Sequence, residues 1–194
     1  MISRSSLSNV HKPGLYGDIA NKKENELLKI SELKNILIFQ VVKYKKTEIN
    51  LESIKIDNLN LPNSLKVNSN NNTRILWMGP DNWFIVSTNK NLDKEIIESF
   101  ESDKFAVTDL SHSRTILEIE GDLANEVIKK GCPLNLENIK KNDCSNSVFH
   151  AITITLDFIS DDPKKVRLLA LRSFGESLHH AITDACLEYG YKAI

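Results

Sequence analysis

The chain has 194 residues and a mass of 22.0 kDa, with 41% hydrophobic and 26% charged residues, which excludes a mostly disordered, collagen-like or disulfide-dense polypeptide. Lys plus Arg number 25 against 26 Asp plus Glu, and a formal net charge of -1 lacks the positive field that non-specific nucleic-acid or anionic-membrane binding uses. No run approaches the roughly 20 apolar residues of a membrane helix and the N-terminus has no apolar leader, so a cytoplasmic protein with no membrane partner is expected.

Residues 1–30 are polar and broken by Pro13, Gly14 and Gly17, which predicts an N-terminal arm that packs on another surface, a second chain included. Asn35 to Tyr44 is β-rich and nearly all apolar, a strand covered on both faces. A polar stretch follows, and its low-complexity segment Asn68 to Asn72 is expected to be a mobile loop. Arg74 to Met78 and Trp83 to Thr88 flank Gly79-Pro80-Asp81-Asn82, where Pro presets φ and Gly and Asn tolerate left-handed geometry, so they form a hairpin. Asn91 can cap a helix striped by Leu92, Ile96, Ile97 and Phe100, and Phe105 to Leu110 returns as a strand.

The second half repeats the style. Arg114 to Glu120 alternates apolar with acidic residues as a strand, Asp122 can cap a short helix with Leu123, Val127 and Ile128 inside, and Gly131 stands where a left-handed stop is expected. Val148 to Phe158 places Val148, His150, Ile152, Ile154, Leu156 and Phe158 on one face of a strand, followed by a partner strand from Lys165 to Leu171. Ser173-Phe174-Gly175-Glu176 has the form of a capping box, and Phe174, Leu178, Ile182, Ala185, Cys186 and Tyr189 line the next helix until Gly190. The series predicts an α+β protein of two small ferredoxin-like lobes, 31–112 and 113–194, with mostly antiparallel sheets and helices on one face.

Chemistry is sparse in this pattern. The seven glycines form no phosphate-binding loop, and the cysteines Cys132, Cys144 and Cys186 are odd in number and widely spaced, fitting neither a disulfide framework nor a zinc ribbon. Asp109-Leu110-Ser111-His112-Ser113 holds the ingredients of a hydrolase triad, but sequence neighbours rarely point at one another, so these groups are expected to satisfy backbone donors at a strand end. His179 and His180 project about 100° apart on a helix and do not chelate one ion; His179 rims the apolar stripe and His180 faces water or a partner. His150 reads as a core histidine, and Cys132, near a helix C-terminus, as a poor nucleophile. Trp77 and Trp83 are core or interface aromatics, and Arg172 a salt-bridging or anion-clamping cation. With no catalytic, cofactor or metal site convergent in the sequence, a binding or structural component is expected, with Tyr16, Trp77, Trp83, Arg172 and His180 as candidate partner-interface residues.

The strings Ile75-Leu76-Trp77-Met78-Gly79-Pro80-Asp81-Asn82-Trp83, Lys130-Gly131-Cys132-Pro133-Leu134-Asn135-Leu136 and Leu171-Arg172-Ser173-Phe174-Gly175-Glu176-Ser177-Leu178 resemble the gamma-subunit family of heterotetrameric sarcosine oxidases. The opening Ser3-Arg4-Ser5-Ser6-Leu7, Pro13-Gly14-Leu15-Tyr16-Gly17 and Asp109-Leu110-Ser111-His112-Ser113-Arg114 add to the likeness, which spans essentially the whole chain in order. Asn135 stands where the family has Asp, and the Lys- and Asn-rich middle is atypical. The resemblance implies an aminomethyltransferase-like fold and a non-catalytic gamma subunit beside alpha, beta and delta subunits, chiefly stabilising the large alpha subunit. It also implies a complex that demethylates sarcosine to glycine, with FAD, FMN, NAD and tetrahydrofolate held by the partners and no cofactor on this chain. The equivalent subunit of a related N-methyl amino acid dehydrogenase is implied on the same residues. A second resemblance, through Lys130-Gly131-Cys132, is to stand-alone tetrahydrofolate-binding proteins of iron-sulfur assembly, but Leu134-Asn135-Leu136 replaces that motif's Gly-Gln-Glu continuation.

Overall fold

The computed structural model describes residues 5–194, so Ser3 and Arg4 of the opening string lie outside the described residues. In chain order the elements are the strands β1 (Gly14–Tyr16), β2 (Leu28–Glu32), β3 (Leu37–Lys43), β4 (Lys55–Ile56), β5 (Leu59–Asn60), β6 (Val67–Ser69), β7 (Thr73–Gly79) and β8 (Asn82–Ser87), then helix α1 (Leu92–Ser99). Strands β9 (Phe105–Asp109) and β10 (Arg114–Glu120), helix α2 (Ala124–Lys129), strands β11 (Cys144–Phe149), β12 (Ile152–Asp161) and β13 (Lys164–Leu171), helix α3 (Gly175–Cys186) and strand β14 (Tyr191–Ala193) complete it. The chain divides into two compact units. One joins the chain up to Lys34 with Ser113–Lys141 and Ser145–Ile194, and the other joins Asn35–His112 with Asn142–Cys144.

The class is α+β with mostly antiparallel sheets. In the Asn35–His112 unit the sheet runs β6-β7-β8-β3-β9. Without the edge strand β6, its spatial order is fourth, first, third and second strand of a strand, crossover, hairpin, helix, strand series, which is the ferredoxin-like arrangement. The first crossover helix is replaced by residues 44–72, which hold the small β4–β5 hairpin and a 3-10 turn, Leu51–Ser53. Period-two alternation points Phe39, Val41, Ile75, Trp83 and Ile85 to one side, where Leu92, Ile96 and Phe100 of the α1 segment cover them. Ile97, expected in that stripe, is exposed. The β7–β8 hairpin closes through Pro80-Asp81 with Asp81 at φ 57, as the turn chemistry predicts. The asparagine-rich segment differs from expectation. Val67–Ser69 pairs with β7, and Asn70 Oδ1 accepts the N–H groups of Asn72 and Thr73 at 2.9 and 2.8 Å, so side-chain amides replace the missing regular ladder.

In the other unit the sheet runs β1-β14-β2-β10-β13-β12-β11. The order β14, β10, β13, β12 is again ferredoxin-like, with β2 inserted between β14 and β10, antiparallel to β10 and parallel to β14. Leu117, Ile119, Leu156 and Leu168 of the sheet meet Val127, Ile128, Leu178 and Ile182 of the two helices on one face. The polar N-terminal residues thus pack on their own chain, with Leu7 fully buried in this core.

Several local expectations fail. His150 does not lie on a strand face: it takes φ 50 in the turn between β11 and β12, exposed, with its N–H on Gly131 O at 2.7 Å. Ser173 does not cap α3, because Arg172–Phe174 forms a 3-10 turn tied by Arg172 N–H to Ser113 O at 2.9 Å, and the helix starts at Gly175. Asn91 and Asp122 make no side-chain cap either. Gly131 is not left-handed; its lack of Cβ leaves room for the Phe149 ring. Gly190, at φ 69, takes the left-handed stop after α3.

Candidate functional site

The apparent triad and the three cysteines have structural occupations. Asp109 Oδ1 accepts the Ser111 N–H at 2.8 Å, and Ser111 Oγ accepts the Ile38 N–H at 3.0 Å, so the apparent triad closes a strand end. His112 is exposed. Cys132 is buried and donates its Sγ–H to Ser147 Oγ at 3.3 Å. Cys144 lies against the main-chain oxygens of Lys66 and Trp77 at 3.4 and 3.3 Å. Burial pushes the Cys186 thiol up to about 12 against the opposing field of Lys130.

The five candidate interface residues separate by burial. Trp83 is 4% exposed, and its Nε1–H donates to Pro62 O at 3.4 Å. Trp77 is half-buried against the same core. Tyr16 is 37% exposed, stacks on Tyr191 with ring centroids 5.2 Å apart, and donates its hydroxyl to Lys12 O at 3.1 Å. Arg172 is half-buried at the end of β13, with Leu171 and Phe174 beside it, 45% and 47% exposed. His180 is exposed on α3.

A set of polar contacts joins residues 11–28 to residues 179–194. Gly17, at φ 77, approaches so closely that an added Cβ would stand 2.2 Å from Leu187 O, and the next N–H, from Asp18, donates to that oxygen at 2.8 Å. Lys22 Nζ reaches Tyr189 O at 3.2 Å, and Leu28 N–H reaches Gly190 O at 3.3 Å. These donors reach main-chain carbonyls of the residues that follow α3. Further along, His11 Nε2 lies 2.9 Å from Ile194 O and His11 Nδ1 lies 3.1 Å from His179 Nε2. His179 is buried, and desolvation first, then the fields of His11 and His180, push it down to about 4. Sequence reasoning missed His11, because its partners stand 168 and 183 positions away and no local spacing marks them.

Among the described residues, no group of three or more His, Cys, Asp or Glu is placed to hold a metal ion. An open hollow of about 300 Å³ lies over Leu136 and Phe158, with Glu126, Lys129, Glu137, Asp161 and Lys164 around it. Its rim mixes both signs of charge, and Glu126 and Lys129 are already paired at 2.8 Å.

The model of the sarcosine oxidase gamma subunit family matches residues 52–188. Sarcosine oxidase subunit gamma of Corynebacterium sp. strain P-1 is 29% identical over 128 residues, 63% of this chain and 61% of that protein. The same subunit of strain U-96 is 30% identical over 123 residues, 60% of this chain and 58% of that protein. The chain therefore spans about three fifths of the length of these curated relatives. Among solved structures, a chain of the heterotetrameric sarcosine oxidase from Corynebacterium sp. U-96 in complex with pyrrole 2-carboxylate matches at a TM-score of 0.78 and 22% identity, covering 96% of this chain and 95% of that one. The glycine cleavage system aminomethyltransferase T from Bartonella henselae matches at 0.57 and 10% identity, covering 82% and 46%. Both likenesses concern the fold.

Proposed function

From its place in the sarcosine oxidase gamma subunit family, to which this chain belongs, we propose that it is the non-catalytic gamma subunit of a heterotetrameric, flavin-dependent sarcosine oxidase. The observation that carries the reading is the family match across residues 52–188, supported by the end-to-end likeness in fold to a chain of a heterotetrameric enzyme. Sarcosine, an N-methyl amino acid, is the substrate of the whole assembly. FAD, FMN, NAD and tetrahydrofolate are held by the two larger partner subunits, and the large alpha subunit is the main neighbour.

The role of this chain is then adhesion. A stable interface of obligate type buries more than roughly 2,000 Å², mostly apolar at its centre with aromatic and arginine anchors. Exposed Tyr16 and His180, half-buried Trp77 and Arg172, and the Leu171–Phe174 corner offer such anchors, with Trp83 bracing the hairpin from beneath.

Co-expression with the three partner subunits tests the proposal. The chain alone is expected to be colourless and inactive toward sarcosine, and the co-expressed material a stoichiometric yellow complex that oxidises it. Sarcosine oxidation by the isolated chain, or failure of the four chains to co-purify, would refute it. Tight binding of tetrahydrofolate by the isolated chain would replace it with the stand-alone folate-binding reading. Phe174→Asp and Tyr16→Asp should weaken co-purification if these faces touch partners, while leaving the isolated chain folded by circular dichroism.

A further inference from the structure

We propose that the outer edge of β9 is a strand-addition site, on which an extended segment of a partner subunit pairs with the main chain of Val107 and Asp109 and sets a Lys or Arg opposite Asp109. The direction of each main-chain group in β9 follows from its ladder to β3. Leu110 N–H donates to Ile38 O and Tyr44 N–H to Lys104 O, each at 2.8 Å, and the register sets Thr108 against Gln40 and Ala106 against Val42. Even-numbered residues of β9 therefore face β3, and Val107 and Asp109 turn their N–H and C=O groups the other way. β9 ends its sheet, and among the described residues no hydrogen bond reaches these four groups. The N–H of Phe105 is taken by Glu101 O at 2.9 Å.

The edge is suited to accept a strand. The opposite edge of the same sheet is closed, since Val67 N–H donates to Asn142 O at 2.8 Å and Lys66 bridges to Asp143. β9 contains no Lys, Pro or Gly, runs in unbroken register with β3 and is rich in residues that favour strands, so it has none of the devices that blunt an edge. Phe105 is buried and Val107 half-buried in the core, which anchors the strand, while Thr108 and Asp109 are exposed. Main-chain hydrogen bonds supply affinity at such an edge, and side chains select the partner.

Charge decides between a second copy and a different chain. Asp109 Oδ1 accepts the Ser111 N–H at 2.8 Å, and among the described residues no cation pairs with the carboxylate. Two copies joined antiparallel about a two-fold axis at Ala106, Val107, Thr108 or Asp109 would set Asp109 opposite Asp103, Phe105, Val107 or Asp109 of the other copy. None of these is a cation, and two are like charges. A different chain with a basic residue at that position gains a cross-strand ion pair. That this chain is a partner subunit rests on the gamma-subunit reading above.

Amide hydrogen exchange of the isolated chain and of the co-expressed complex, quenched and dissociated before NMR detection, tests the site. In the isolated chain Val107 and Asp109 should exchange as open amides, and Ala106 and Thr108 slowly. In the complex Val107 and Asp109 should slow by at least about 10-fold, which removes the alternation. Val107→Pro deletes one outward donor and keeps the bonds of Ala106 and Thr108 to β3, at a place where an edge strand accepts proline; complex recovered with it should fall by at least about 10-fold. Asp109→Asn keeps the turn to Ser111 and drops the charge, and should weaken assembly about 2–5-fold. Unchanged exchange at Val107 and Asp109 in a complex that forms, or full assembly of a folded Val107→Pro chain, overturns the site and leaves the gamma-subunit reading standing. Failure of the native chain to co-purify refutes that reading and the site with it. Protection of both amides in the isolated chain that rises with its concentration makes a second copy the occupant and also overturns the proposal. Should Val107→Pro not fold, the exchange result and Asp109→Asn decide.

Discussion

Gly131 and Phe149 meet so closely that a Cβ placed on the glycine would stand 2.9 Å from the Cε1 and Cζ atoms of the ring. Phe149 is fully buried and cannot swing into solvent to make room. Gly131→Ala is therefore overpacking and should destabilise by about 1–3 kcal/mol. A lower urea midpoint with an unchanged slope checks it.

The N-terminal residues carry part of the same core. Leu7 is fully buried among residues that include Leu178 and Ile182, and Ser5 and Ser6 bring their hydroxyls to Glu32 and Thr115 beside it. Gly175, at the start of α3, permits this approach: its added Cβ would lie 2.8 Å from Thr115 Oγ1 and 3.0 Å from Ser6 Oγ. Leu7→Ala should lower stability by about 2–4 kcal/mol, measured by urea unfolding. A loss below about 0.5 kcal/mol would show that the segment is not part of the folded core.

Much of the architecture is legible in the sequence, and the exceptions share a cause. The β7–β8 hairpin, β10, β13 and the buried faces of α1 and α3 follow from alternation, turn residues and helical spacing that are local. The strands β1, β2 and β14 are short, and they exist because they pair with strands contributed by distant residues, β1 at the edge of the sheet and β14 and β2 between it and β10. His150 fell on the apolar side of an alternating run, but the run contains a reversal that only the close approach of Gly131 O reveals. Trp83 and Tyr16 look equivalent as sequence aromatics, and folding makes one a core residue and the other a half-exposed one. The His11–His179 pair carries no signal in either neighbourhood, because a hydrogen bond between residues 168 positions apart is a property of topology.

Acid sensitivity should come partly from the ladder across β2, β10 and β13. Lys165 Nζ lies 2.5 Å and Lys29 Nζ 2.8 Å from the Glu120 carboxylate. The Lys165 hydrogen bond first, then that of Lys29, holds the Glu120 carboxyl below its ordinary value. A depressed folded-state value means stability that is complete above the unfolded value of about 4.3 and is lost as pH falls through the folded value. Because these side chains are partly solvated, the contribution is at most about 1 kcal/mol. Glu120→Gln should lower stability at pH 7 by that amount and leave it nearly unchanged at pH 3, measured by urea unfolding at both values.

The three thiols should be silent in the folded protein. Cys132, Cys144 and Cys186 are 5%, 2% and 0% exposed, and Cys186 is in addition pushed up to about 12 by desolvation, far from the thiolate that reagents need. Reaction with a disulfide reagent at pH 8 therefore has to wait for local opening. The expected result is no prompt release of chromophore from the native chain and three equivalents in 6 M guanidinium. Since Cys186 lies on α3 and Cys144 starts β11, their slow labelling rates report two different openings. A thiol that reacts within seconds under native conditions would show that the burial around it is not maintained in solution.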